Sequence, residues 1–174
     1  MNMKNQMEVF IIEDNALFAL ALKGDLENSF PDAGMRIHSF ETGESCKKKF
    51  RELKPKVVIL DYNLNSKFAD AANGLVILDW MKKENPETNV IMLTGVDNIE
   101  IALKSFKHGA ADYVVKTETQ FKKINYSLLN LFKIINANKK AKKYQNIIIG
   151  MTASFALMVG ILISIQIFRP LFLA

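Results

Sequence analysis

Short apolar runs alternate with amphipathic stretches along most of this chain. Val9-Phe10-Ile11-Ile12, Val57-Val58-Ile59-Leu60, Val90-Ile91-Met92-Leu93 and Tyr113-Val114-Val115 are rich in β-branched residues. They are too short for helices, so each reads as a strand buried on both faces. With a fifth, more mixed run, the pattern predicts strands near 8–12, 35–39, 57–60, 89–93 and 112–115. The intervening stretches repeat their apolar positions at helical spacing. They predict helices near 15–29, 43–53, 74–85, 97–108 and from 118 onward. Strands alternating with helices specify a parallel sheet covered on both faces.

The punctuation agrees. Asn15 can cap the first helix and Asp97 or Asn98 the fourth. Gly109 suits the left-handed position that ends the fourth helix, and Thr117 with Gln120 has capping-box spacing for the fifth. Prolines at 31, 55, 86 and 170 all fall outside predicted element interiors, as their missing N–H requires.

The fifth helix carries an apolar stripe at Phe121, Ile124, Leu128, Phe132 and Ile135. Lys139, Lys140, Lys142 and Lys143 follow, then an uncharged stretch from Tyr144 to Phe168. Its apolar part, Ile147–Phe168, has 22 residues and no polar face. At ~1.5 Å per residue that is long enough to cross a bilayer core. The expected organisation is therefore a globular domain over 1–135, a basic juxtamembrane helix or linker over 136–146, a transmembrane helix over 147–168 and a short non-cytoplasmic tail over 169–174.

Charge sharpens this division. The formal net charge is +5, but residues 1–118 hold all 18 acidic residues and 15 of the 23 basic ones, a net of −3. Beyond Glu118 stand eight basic residues and no acid, a net of +8. Basic charge confined beside a hydrophobic segment points to a membrane surface and away from nucleic acid. Four lysines before the span against Arg169 after it place the N-terminal domain in the cytoplasm. The polar stretch Met1–Glu8 has no signal-peptide apolar region. Cys46 is the only cysteine, so no internal disulfide forms and no oxidising compartment is required. It reads as an ordinary helix residue. His38 and His108 read as surface or packing residues, Trp80 as helix packing, and Lys47-Lys48-Lys49 as a solvated face.

Four predicted strands deliver polar groups at their ends: Glu13-Asp14, Asp61, Thr94 and Lys116. Parallel sheets place their chemistry at that carboxyl edge. Carboxylates converging on one point repel each other unless a hard cation neutralises them, and Mg²⁺ with oxygen ligands suits the set. Asp61 can then act as a nucleophile toward phosphorus. Lys116 supplies a point charge for phosphoryl oxygens and Thr94 a small hydroxyl, so the work is mostly positioning and charge neutralisation.

These residues resemble the response regulator receiver domain of two-component signalling. The resemblance rests on Ile11-Ile12-Glu13-Asp14, Val57-Val58-Ile59-Leu60-Asp61-Tyr62-Asn63-Leu64, Met92-Leu93-Thr94-Gly95 and Gly109-Ala110-Ala111-Asp112-Tyr113-Val114-Val115-Lys116, and covers roughly residues 7–135. It implies a flavodoxin-like, doubly wound five-stranded sheet of order 2-1-3-4-5. It implies that Asp61 accepts a phosphoryl group from the phosphohistidine of a histidine kinase or a phosphotransfer protein. Mg²⁺ would be held by Asp14, Asp61 and the backbone carbonyl of Asn63, with Glu13 acting through water. Thr94 and Tyr113 correspond to the family's switch pair.

The sequence departs from the family in three respects. Thr117 stands where the family usually has a proline after the lysine. The segment Asn65-Ser66-Lys67-Phe68-Ala69-Asp70 is longer than the common form. No DNA-binding or enzymatic output domain is read after the fifth helix. The leading expectation is a membrane-tethered phosphoacceptor that signals to a downstream protein near the bilayer. It is not an enzyme beyond catalysing its own phosphorylation and dephosphorylation. The alternative is a non-switching receiver-like membrane adaptor. A haloacid-dehalogenase-type phosphatase is disfavoured, because that chemistry needs an Asp where Asn63 stands and an acidic pair late in the chain.

Overall fold

The computed structural model describes residues 6–64, 72–95 and 97–168, with side chains described as far as Ile165. The predicted insertion at 65–70 and the tail at 169–174 lie outside the described residues. In chain order the elements are β1 (Met7–Ile12), α1 (Ala16–Ser29), β2 (Met35–Phe40), α2 (Gly43–Leu53), β3 (Val57–Asp61), α3 (Gly74–Glu84), β4 (Asn89–Thr94), α4 (Ile99–Lys107), β5 (Asp112–Val115) and α5 (Gln120–Phe168). The chain divides into two units, Met1–Leu129 and Asn130–Ala174.

In the first unit the strands pair in parallel in the order β2-β1-β3-β4-β5, the order expected. Side chains alternate across the strands, so the two faces have separate cores. Phe10, Ile12, Val58, Leu60, Val90 and Met92 pack with Cys46 and Phe50 of α2 and with Ile77, Leu78 and Met81 of α3. Val9, Ile11, Ile59 and Leu93 alternate with these and are equally buried, as are Leu22 and Leu26 of α1 and Ile124 and Leu128 of α5. Those two helices are joined side by side through Asn125, whose Nδ2 donates to Asp25 Oδ2 at 2.9 Å and to Ser29 Oγ at 3.1 Å. Every residue of β3 is buried, which explains why its sequence is a continuous apolar run ending in a carboxylate.

The capping residues act as their chemistry predicts. Asn15 accepts from the amides of Leu17 and Phe18. Asn98, the second of the two residues proposed for α4, accepts from Glu100 and Ile101. Gly109 has φ +92°, a backbone region closed to most L side chains. The fifth helix differs. It begins at Gln120, not 118, and the Gln120 amide donates to the Thr117 carbonyl. Thr117–Thr119 forms a turn, with the two threonine hydroxyls 3.3 Å apart, and the predicted capping box is not made.

The incidental residues settle largely as read. Cys46 is buried and donates to the Gly43 carbonyl; burial pushes its thiol up to about 12. His38 bonds Glu8 and His108 bonds Asp79. Trp80 packs on Phe50 at 5.1 Å between centroids. The lysine run is less plain than its sequence, because folding sets Lys47 over the Trp80 ring and Lys49 over Phe40.

Candidate phosphoacceptor site at the sheet edge

Strand register brings the site together. Ile12 pairs with Leu60, Asp61 with Leu93 and Thr94 with Val115. The residues that end or follow these positions, Glu13-Asp14, Asp61, Thr94 and Lys116, therefore emerge side by side. Glu13, Asp14 and Asp61 are buried, at 2%, 6% and 2% relative exposure. They can each present one oxygen within 4.8 Å of the others. Thr94 is fully buried beside them in sequence register, while Tyr113 is half-buried with its hydroxyl 3.5 Å from the Asn98 carbonyl. Asn63 is exposed, and its backbone N–H faces the Asp61 carboxylate.

Lys116 closes the cluster. Its ammonium donates to Glu13 Oε2 at 2.7 Å and pairs with Asp61 Oδ2 at 3.0 Å. No cis peptide bond occurs among the described residues, so Lys116 reaches both carboxylates through a trans bond to Thr117. Burial raises the pKa of Asp61, and Lys116 and the Asn63 N–H oppose it. Burial first, and then the Asp61 charge, raise Glu13, with Lys116 and the Asn15 N–H opposing.

The arrangement fits a divalent cation. Among the described residues Lys116 brings one ammonium to the buried Glu13 and Asp61 carboxyl groups, and gathering these with Asp14 in a desolvated place favours a further positive charge. Asp61 Oδ1 is buried and has no hydrogen-bond partner among the described residues. An orphaned carboxylate oxygen is costly unless something fills its lone pairs. A hard cation with oxygen ligands does so, and Glu13, Asp14 and Asp61 are of the type that holds Mg²⁺.

Two residues at the site were not singled out from the sequence. Gly74 opens α3 directly against the end of β3, its N–H donating to the Tyr62 carbonyl at 2.8 Å. A Cβ there would lie 2.4 Å from the Asp61 carbonyl oxygen and 2.8 Å from Tyr62 Cα, backbone that cannot rotate aside. Gly74→Ala is expected to destabilise the protein by about 1–3 kcal/mol through overpacking, measured by urea unfolding. A change under half of that would mean the β3–α3 junction yields easily. Phe18, on the first turn of α1, sets its ring 4.8 Å from Lys116 Nζ and 5.5 Å from the ring of Phe121. Its place four residues after Asp14 was visible, but nothing in the sequence pairs it with Lys116.

Fold and site together define a flavodoxin-like α/β protein with an acidic site at the carboxyl edge of its parallel sheet. The chain belongs to the response regulator receiver domain family, whose model matches residues 9–125, and is thus a receiver domain of two-component signalling. It is similar to the nitrogen assimilation regulatory protein NtrX of Azorhizobium caulinodans, with 29% identity over 109 residues, 63% of this chain and 22% of the relative. It is also similar to the chemotaxis protein CheY of Thermotoga maritima, with 26% identity over 62% of this chain and 83% of that protein. The chain spans about a fifth of the length of NtrX and NtrC relatives. The receiver domain of a Luxo repressor protein from Vibrio parahaemolyticus shares the fold, with a TM-score of 0.65 and 22% identity over 78% of this chain and 96% of that one.

Proposed function

We propose that this receiver accepts a phosphoryl group on Asp61 and uses the resulting change of surface to signal beside a membrane. The observation that carries the first half is the buried Asp61 Oδ1, which has no hydrogen-bond partner among the described residues, inside a carboxylate cluster that Lys116 joins. Glu13, Asp14 and Asp61, with the Asn63 carbonyl, would hold Mg²⁺. When bound, the cation neutralises charge on the carboxylates and on the incoming phosphoryl oxygens.

The residues divide the work. An Asp61 oxygen attacks phosphorus, and the bond from phosphorus to the donor nitrogen breaks as the new oxygen–phosphorus bond forms. Lys116 shifts an N–H from the Asp61 carboxylate to a phosphoryl oxygen, so one carried negative charge meets a preplaced positive one. The Thr94 hydroxyl follows the phosphoryl group, and Tyr113, whose hydroxyl reaches the loop that caps α4, transmits the change. The donor is a histidine kinase or phosphotransfer protein. The chain is a phosphoacceptor and turns over no other substrate.

The second half rests on α5. Its Ile147–Ile165 portion carries exposed Ile148, Met151, Phe155, Leu157 and Ile161, and the helix is long and apolar enough to cross a bilayer. A single-pass anchor with the receiver on the cytoplasmic side confines it near membrane-bound partners and raises their effective concentration. The downstream partner is a protein close to the bilayer; nucleic acid is not a partner.

The experiment is incubation of the full chain with acetyl phosphate and Mg²⁺. The expected product is an acid-stable, base-labile phosphoryl adduct on Asp61, located by mass spectrometry. No adduct with either a small donor or a phosphorylated kinase domain would leave the adaptor reading in its place.

A further inference from the structure

We infer that Phe18 is a positioning residue for the Lys116 ammonium, a role that builds on the phosphoacceptor reading of Asp61. Lys116 lies at the end of β5, immediately before the Thr117–Thr119 turn, on a flexible four-carbon stem. A lysine loses substantial rotamer freedom when fixed, so its site needs walls. Two of them are carboxylates, Glu13 at 2.7 Å and Asp61 at 3.0 Å. The third is the face of Phe18, with its centroid 4.8 Å from Nζ.

An aromatic face suits that third side. Its quadrupole attracts the cation, yet it has no lone pair to bind the ammonium as strongly as a carboxylate does. When Asp61 gains a phosphoryl group, Lys116 must transfer its N–H from a carboxylate oxygen to a phosphoryl oxygen. A third carboxylate would hold the ammonium back and add charge to an acidic cluster. An aliphatic side chain would leave that side desolvated without compensation. The ring supports the charge and leaves the N–H groups available. Phe18 is itself held: it is half-buried, and its ring packs on Phe121 of α5 at an interplanar angle of 55°. The ring therefore links α1 and α5 beside the ammonium that pairs with the reacting carboxylate.

A purely structural Phe18, packing α1 on α5, would make different predictions. The test uses the full chain as wild type, Phe18→Leu, Phe18→Tyr and Phe18→Trp, with acetyl phosphate as the donor so that no partner protein enters. Phe18→Leu is expected to slow phosphorylation at saturating Mg²⁺ by about threefold to thirtyfold, the range spanned by cation–ring attraction. Phe18→Tyr and Phe18→Trp are expected to restore the rate to within about twofold of wild type, because they keep a ring face. A leucine variant as fast as wild type, or aromatic variants as slow as leucine, would overturn the assignment.

A second measurement needs no phosphorylation. The Lys116 ε-methylene protons are expected to show an upfield ring-current displacement in wild type and in the aromatic variants. Phe18→Leu should lose it. An undisplaced wild-type signal overturns the proposal even if Asp61 is phosphorylated. A displaced signal in a protein that takes no phosphoryl group keeps the contact and rejects the phosphoacceptor reading instead.

Discussion

Asp61→Asn is expected to reduce phosphoryl uptake to background while making the metal-free protein more stable than wild type. The first effect follows from chemistry: an amide oxygen cannot serve as the nucleophile that a carboxylate can. The second follows from burial. The folded protein raises the Asp61 pKa above its ordinary value of 3.8, because desolvation outweighs the help of Lys116 and the Asn63 N–H. A raised folded pKa means that the native state binds a proton more tightly than the unfolded chain. The associated stability is therefore complete below the ordinary carboxylate pKa and is lost as pH rises through the folded value. Glu13, raised from 4.5 by burial and by the Asp61 charge, adds in the same direction. Thermal melts in EDTA should show Tm of the wild type falling as pH climbs from about 4 toward neutrality. Asp61→Asn should flatten that fall and sit above wild type at pH 7, since it removes one ionised carboxylate and relieves Glu13. Added Mg²⁺ should raise Tm of the wild type much more than that of the variant, in line with linkage to a native-state ligand. A metal-free variant less stable than wild type at neutral pH would show that the Lys116 pairing outweighs desolvation.

That opposition was only partly legible in the sequence. The strands could be located because β1, β3 and β4 are apolar on both faces, and a continuous apolar run has few alternatives in an α/β chain. Their ends then gave the site directly. Register follows from the pairing of buried runs, and it places Asp61 beside Leu93 and Thr94 beside Val115. Carboxylates at those ends had to converge. The contacts that adjust the site were not legible, because they join residues through side-chain direction. Phe18 and Lys116 are distant in sequence, and their approach depends on how α1 leans over the sheet edge. Gly74 read only as a helix start, since nothing local says that its missing Cβ faces the Asp61 carbonyl. The Thr117–Gln120 spacing misled for a related reason. Capping-box residues are also good turn residues, and the turn needed to leave Lys116 pointing at Asp61 took precedence over an earlier helix start.

The full chain is expected to bind membranes, and removing residues 147–174 is expected to leave it in the aqueous phase, still taking up a phosphoryl group on Asp61. The argument begins with area. Exposed isoleucine, leucine, methionine and phenylalanine side chains follow one another along Ile147–Ile165 on all sides of the helix. A soluble protein rarely exposes a continuous apolar surface of that extent. Each side chain that leaves water contributes about 1.5–3 kcal/mol, so a run of this length is expected to partition into a bilayer with a free energy far beyond reversible surface binding. The basic residues point the same way. Lys139, Lys140, Lys142 and Lys143 are exposed on the turns just before the apolar run, where a lysine near an anionic leaflet contributes about 1 kcal/mol. The full chain should therefore sediment with membranes and resist extraction at alkaline pH, which strips peripheral proteins. The truncated chain should remain in the supernatant. Its rate of labelling by acetyl phosphate should match that of the full chain, because the residues that make the site all lie before Leu129. Alkaline release of the full chain would mean that this helix binds a protein or lies on the surface, and the membrane half of the proposed function would fall while Asp61 kept its role.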